Sequence, residues 1–198
     1  MEFRGACFAI GGDNCVAIVS DRRLGKGFTL NDSNFQRVFK MQDNIMLGLT
    51  GLDTDVQTVY ALLEYKLNMY RLREGQEMTP RDFAWMVGAT LYEHRFGPYY
   101  VSPVVAGLQD GKPVLFGYDS IGCMTEDKFV CAGAAAEMLL GSGECYFKEG
   151  MNAQEIEDAC INAINAAADR HIMIGWNSAL YVMTDKKIDC KMVKMKQV

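Results

Sequence analysis

The stretch Gly5-Ala6-Cys7-Phe8-Ala9-Ile10-Gly11-Gly12-Asp13-Asn14-Cys15-Val16-Ala17-Ile18-Val19-Ser20-Asp21-Arg22-Arg23 decides the fold. Cys15–Val19 is a continuous apolar run without polar alternation. That is the pattern of a strand covered on both faces. Cys7–Ile10 reads as a second strand, and Gly11-Gly12-Asp13-Asn14 between them is a strong turn signal. A strand covered on both faces needs further layers of structure above and below it.

Outward from this pair, Val38–Met41 and Ile45–Leu49 flank Gln42-Asp43-Asn44 and predict a hairpin. Two helices follow. Val56, Val59, Tyr60, Leu63, Leu67 and Tyr70 recur at helical spacing, with Asp53 or Thr54 as a candidate cap and Gly75 past the end. The second helix opens at Thr79 with Pro80 in its first turn, where a missing N–H costs nothing. Phe83, Met86, Val87, Thr90 and Leu91 form its inner stripe, and Gly97-Pro98 stops it. Strands return at Val101–Leu108 and Val114–Tyr118, joined through Asp110-Gly111, and again at Phe129–Ala132. A helix is predicted from about Ala134 to Leu140. Another begins near Asn152, with Glu155 completing a capping box. Ser178–Thr184 and Ile188–Val193 close the chain around Asp185-Lys186-Lys187. Runs of strands alternating with runs of helices point to α+β with mostly antiparallel sheets. Helices with one apolar face must cover sheets, so two stacked sheets between two helical layers is the economical arrangement.

The chain has 198 residues, 49% of them hydrophobic and 23% charged, with a net charge of −5. No linker or repeat divides it, and a single domain over 1–198 is expected. The acidic balance and the lack of a basic stripe with interleaved aromatics give no reason to expect nucleic acid. Lys186, Lys187, Lys191, Lys194 and Lys196 form a mild basic cluster, read as solvated strand edges. Seven cysteines without CxxC or Cys/His spacing argue against a disulfide framework and against zinc. No apolar run reaches membrane-spanning length, and the start lacks a signal-peptide layout. A soluble intracellular protein with free thiols is the expectation.

Local motifs for other chemistries are incomplete. Gly141-Ser142-Gly143 lacks the rest of a nucleophile elbow, and Gly25-Lys26-Gly27 lacks the rest of a phosphate loop. His94 and His171 are the only histidines, without an evident Ser–His–Asp set. Cys7 is a candidate N-terminal nucleophile only if cleavage follows Ala6, and strand alternation makes it a core candidate instead.

The element order and several segments resemble proteasome β subunits, which are N-terminal nucleophile hydrolases. These segments are Gly5–Arg23, Gly48–Gln57, Tyr92–Tyr100 and Tyr118–Cys123. Arg95–Tyr100 and Ile121–Cys123 look like the non-catalytic third β type of the eukaryotic 20S particle. The resemblance implies a four-layer αββα sandwich covering nearly the whole chain. In the family a threonine hydroxyl attacks, with its own amino group as base. The matching position is Gly5. The family's lysine falls at Arg37, its helix-start serine at Ala134, and its acidic residue and serine of a later loop at His171 and Ile174. Three positions keep the family's residue: Asp21, Gly51, whose N–H would form the oxyanion hole, and Gly175. Some members hold a metal at carbonyls in the places of Ala168, His171 and Ile174. The last two depart from the family here, so neither a metal nor a cofactor is assigned.

The resemblance therefore implies an inactive member of a threonine endopeptidase complex. Its partners would be other α and β subunits in a hetero-oligomeric twenty-eight-subunit particle of the cytoplasm and nucleus. Neither nucleic acid nor membrane is among them. It would support ATP- and ubiquitin-dependent protein degradation by assembly. It also implies that Asp119 and Cys123 line the substrate pocket of a neighbouring trypsin-like subunit. Tyr99 and Tyr100 are candidate interface anchors. The alternative is an active N-terminal threonine or cysteine peptidase.

Overall fold

A computed structural model describes residues 4–27, 29–185 and 187–195. Twelve strands and four helices are described. They are β1 (Ala6–Gly11), β2 (Cys15–Asp21), β3 (Leu24–Lys26), β4 (Thr29–Asp32), β5 (Val38–Gln42), β6 (Ile45–Gly51), α1 (Asp53–Glu74) and α2 (Pro80–Tyr92), then β7 (Val101–Gln109), β8 (Lys112–Tyr118), β9 (Met124–Glu126), β10 (Phe129–Gly133), α3 (Ala136–Tyr146), α4 (Ala153–Ala168), β11 (Asn177–Thr184) and β12 (Lys187–Lys194). One antiparallel sheet runs β10-β1-β2-β11-β12 and the other β5-β6-β7-β8-β9, with β3-β4 a separate ribbon.

Strand alternation explains the stacking. On β1, Ala6, Phe8 and Ile10 point to α3 and α4, where they meet Leu139, Ile156, Cys160 and Ile164. Cys7 and Ala9 point the other way, with Val16 and Ile18 of β2, onto Met46, Val104 and Ala106 of the second sheet. That sheet's outer face, including Ile45, Leu47, Leu49 and Phe116, packs on Val59, Leu63, Phe83 and Val87 of α1 and α2. Every residue of Cys15–Val19 is buried, as its unbroken apolar run predicts. Each large apolar side chain so removed from water contributes about 1.5–3 kcal/mol. The layers are α3/α4, sheet, sheet, α1/α2: the αββα arrangement.

Several ends differ from the sequence reading. The helix predicted over 134–140 runs from Ala136 to Tyr146, because Gly141 and Gly143 do not stop it. Gly143 instead lets the helix press on Phe8 and Phe129. Strands β3, β4 and β9 carry no hydrophobic alternation and were not expected. Helix α2 ends at Tyr92, five residues before Gly97. Its start agrees, with the Thr79 hydroxyl accepting from the Asp82 N–H. The capping box at Asn152 and Glu155 is formed. Lys187, Lys191 and Lys194 lie on the edge strand β12, where Lys187 pairs with Asp189 and Lys191 with Glu157. Lys186 and Lys196 lie outside the described residues. Tyr99 packs partly into the second helical layer and faces the His94 ring, 4.6 Å away. The Tyr100 N–H donates to Asp55 Oδ2. Among the described residues no helix is long and apolar enough to cross a membrane.

Candidate degenerate active site

Gly5, Asp21, Arg37, Gly51 and Ala134 converge at one end of the two sheets. β1 and β2 pair antiparallel, which brings the start of one beside the end of the other. The Ala6 N–H therefore donates to Asp21 Oδ1 at 2.7 Å, and the Arg23 N–H to Asp21 Oδ2 at 3.3 Å. Arg37 enters from the residue before β5. Its Nε lies 3.4 Å from Asp21 Oδ1 without hydrogen-bond geometry. Its Nη1 donates to Asp53 Oδ1 at 3.3 Å and its Nη2 to the Arg23 carbonyl at 2.8 Å. Both side chains of the Asp21–Arg37 pair have no exposed surface.

Burial pushes the Asp21 carboxyl up to about 6, outweighing the pull of Arg37 and of the two backbone N–H groups. Its ordinary value is 3.8. A carboxyl held above its ordinary value gives stability that is full below pH 3.8 and lost as the pH rises through 6. The pair thus fixes geometry more than it adds stability.

Gly5 has φ +75°, a left-handed conformation that disfavours side chains. A Cβ placed there would lie 2.5 Å from Arg37 Cζ and 2.7 Å from Cδ. The guanidinium fills the space that a side chain on residue 5 would need. The Gly5 carbonyl accepts from the Ala134 N–H at 2.8 Å. Ala134 therefore precedes α3 instead of opening it. Gly51, at φ +129°, turns its N–H to the Arg4 carbonyl at 3.0 Å, so the chain upstream of Gly5 occupies that donor. A Cβ on Gly51 would collide with the Tyr100 carbonyl.

Four participants were not singled out from sequence as site residues: Arg4, Arg23, Phe35 and Asp53. The sequence offers Asp53 or Thr54 as the cap of α1. The cap position is Leu52, without a side-chain bond, and Asp53 instead binds Arg4 Nη1 at 3.0 Å as well as Arg37. The signal was the acidic first turn of α1, which suits a helix N-terminus equally well.

His171 and Ile174 sit in the loop between α4 and β11. His171 Nδ1 accepts from the Met173 N–H, and Ile174 is buried. Together with Ala168, Gly175 and Arg23 they line a cavity of about 300 Å³, so the loop reaches the Gly5 cluster through Arg23. Among the described residues no group of three or more His, Cys, Asp or Glu side chains converges on a common point. Asp119 and Cys123 lie elsewhere, in the turn between β8 and β9. Asp119 Oδ1 accepts from the Ile121 and Cys123 N–H groups, so the carboxylate builds the turn, and Cys123 is exposed. Cys7 has no exposed surface, and burial holds its thiol far above the ordinary value.

A family model described as Proteasome subunit matches residues 2–183. The chain is 44% identical over 200 residues to "Probable proteasome subunit beta type-3" of Schizosaccharomyces pombe, covering 100% of this chain and 98% of that one. It is 43% identical to "Proteasome subunit beta type-3-B" of Arabidopsis thaliana, covering 98% and 96%. It is 37% identical to "Proteasome subunit beta type-3" of Saccharomyces cerevisiae, covering 98% and 95%. With the layered fold and this match over nearly its whole length, the chain belongs to the proteasome subunit family.

Proposed function

We propose that this chain is a non-catalytic structural β subunit of the 20S proteasome core particle. It supports protein degradation by ring assembly with other α and β subunits. One observation carries the reading: the Arg37 guanidinium stands where a side chain on residue 5 would stand. No hydroxyl or thiol is present at that point to attack a peptide bond, and the Gly51 N–H is already taken by the Arg4 carbonyl. The similar proteins named beta type-3 support the assignment to that subunit type. The rival reading, an active threonine or cysteine peptidase, lacks a nucleophile. Cys7 is buried in the inter-sheet core with its thiol kept protonated. Isolation of the tagged chain from its native extract is expected to yield a large multi-subunit particle. A monomeric species would contradict the reading. Residence in the cytoplasm and nucleus goes with this function, and fractionation checks it.

Asp119 is proposed to contribute to the substrate pocket of a neighbouring trypsin-like subunit. Oδ1 is engaged by the turn, and among the described residues no partner holds the other oxygen, so a carboxylate remains to attract basic side chains. Asp119→Asn in the assembled particle is expected to slow cleavage after basic residues and spare the other activities. Equal loss of all activities would mark damaged assembly and remove this role.

A further inference from the structure

The surroundings of Arg37 make up a site in their own right. Its guanidinium carbon lies over the Phe35 ring, 4.8 Å from the centroid, so the cation sits against an aromatic face. At another side the missing side chain of Gly5 leaves the room that the group fills. Around its edge stand Asp21 Oδ1 at 3.4 Å, Asp53 Oδ1 at 3.3 Å and the Arg23 carbonyl at 2.8 Å. Aromatic face, two carboxylates and a carbonyl acceptor match what a planar cation with a fork of N–H donors requires. An ammonium would meet the charge but would neither present a flat face to the ring nor donate from two fixed nitrogens to Asp53 and the Arg23 carbonyl while lying beside Asp21.

We propose that the degenerate nucleophile position is a guanidinium-binding site, with Arg37 as its resident ligand and Gly5 as the residue that makes room for it. Recognition resides in the head group, and the aliphatic tether only delivers it. The site also fastens the segment upstream of β1, because Asp53 is shared between Arg37 and Arg4. Two consequences follow from the geometry. A free guanidinium ion enters the site once the tether is cut back, and any side chain on residue 5 competes with the group that fills it. The site deepens the reading of this chain as non-catalytic and rests on it. Its occupancy is read thermally, so a failed rescue leaves the particle-isolation result untouched.

The test uses the full chain with Arg37→Ala, melted in guanidinium chloride or methylguanidinium chloride at about 20 mM, far below the molar range in which guanidinium denatures. Sodium chloride at equal ionic strength is the control. At ten times the half-saturating concentration the variant's Tm is expected to rise by about 3–6 °C. The wild type, whose site is filled, and the doubly substituted Arg37→Ala, Asp21→Asn chain are expected not to respond. An equal rise in sodium chloride, or a rise in the wild type, overturns the site, as does no rise at all in a folded Arg37→Ala chain. If that chain fails to fold, Arg37→Lys decides. The cost of Gly5→Ala is expected to fall at least fivefold in unfolding equilibrium constant when Arg37→Lys accompanies it. An unchanged cost overturns the proposal.

Discussion

Gly5→Thr, which would place a hydroxyl-bearing side chain at residue 5, destabilises this chain by about 2–6 kcal/mol and produces no peptidase. Two independent costs add. A β-branched residue at φ +75° is strained by about 1–3 kcal/mol. Its Cβ also enters the guanidinium of a fully buried Arg37, an overpacking that costs about 1–3 kcal/mol more. Hydroxyl delivery alone would not help, since an arginine does not exchange a proton with a reacting group as a lysine can. Chemical denaturation reads the first half of the prediction and a fluorogenic peptide assay the second. A loss below about 1 kcal/mol would show that position 5 is not filled by Arg37.

Arg37→Met leaves Asp21 buried without its guanidinium, and the expected loss is about 3–5 kcal/mol. The carboxyl already sits at about 6 with Arg37 present, so without it Asp21 moves higher still. The sign follows from proton binding. The wild type stops losing stability from this group once the pH passes 6, whereas the variant goes on losing it. The gap between the two therefore widens above that pH. Adding Asp21→Asn removes the buried charge while leaving an acceptor for the Ala6 N–H. The double substitution is expected to regain at least about 1 kcal/mol over Arg37→Met alone. Strict additivity, or a gap independent of pH, would remove Asp21 as the cause.

The layers were legible because burial leaves a periodic trace. The uninterrupted Cys15–Val19 run marks a strand between two layers, and the apolar stripes of Val56–Tyr70 and Phe83–Leu91 mark helices that cover a sheet. The ribbon β3–β4 left no trace, since its described residues are largely exposed and carry no alternation. The pairing of Asp21 with Arg37 was approachable through the resemblance to proteasome β subunits, which puts a carboxylate and a cation at those places. Asp53 was not, because an acidic residue opening a helix already has a local explanation in the helix dipole. Only the fold shows it turned to Arg4 and Arg37. The role of Arg4 was equally hidden, since a single arginine near a chain start has no pattern. The resemblance to proteasome β subunits gives no sign of the local work of Asp119, whose Oδ1 accepts from two N–H groups of its own turn.

The N-terminus of this chain inside its particle reports most directly on whether the position at Gly5 is left uncleaved. Intact-mass analysis of the chain released from isolated particles is predicted to find Arg4 still joined to Gly5, with the Arg4 carbonyl on the Gly51 N–H. A chain beginning at Gly5 or Cys7 would contradict it, because cleavage there would free the donor that Arg4 now occupies.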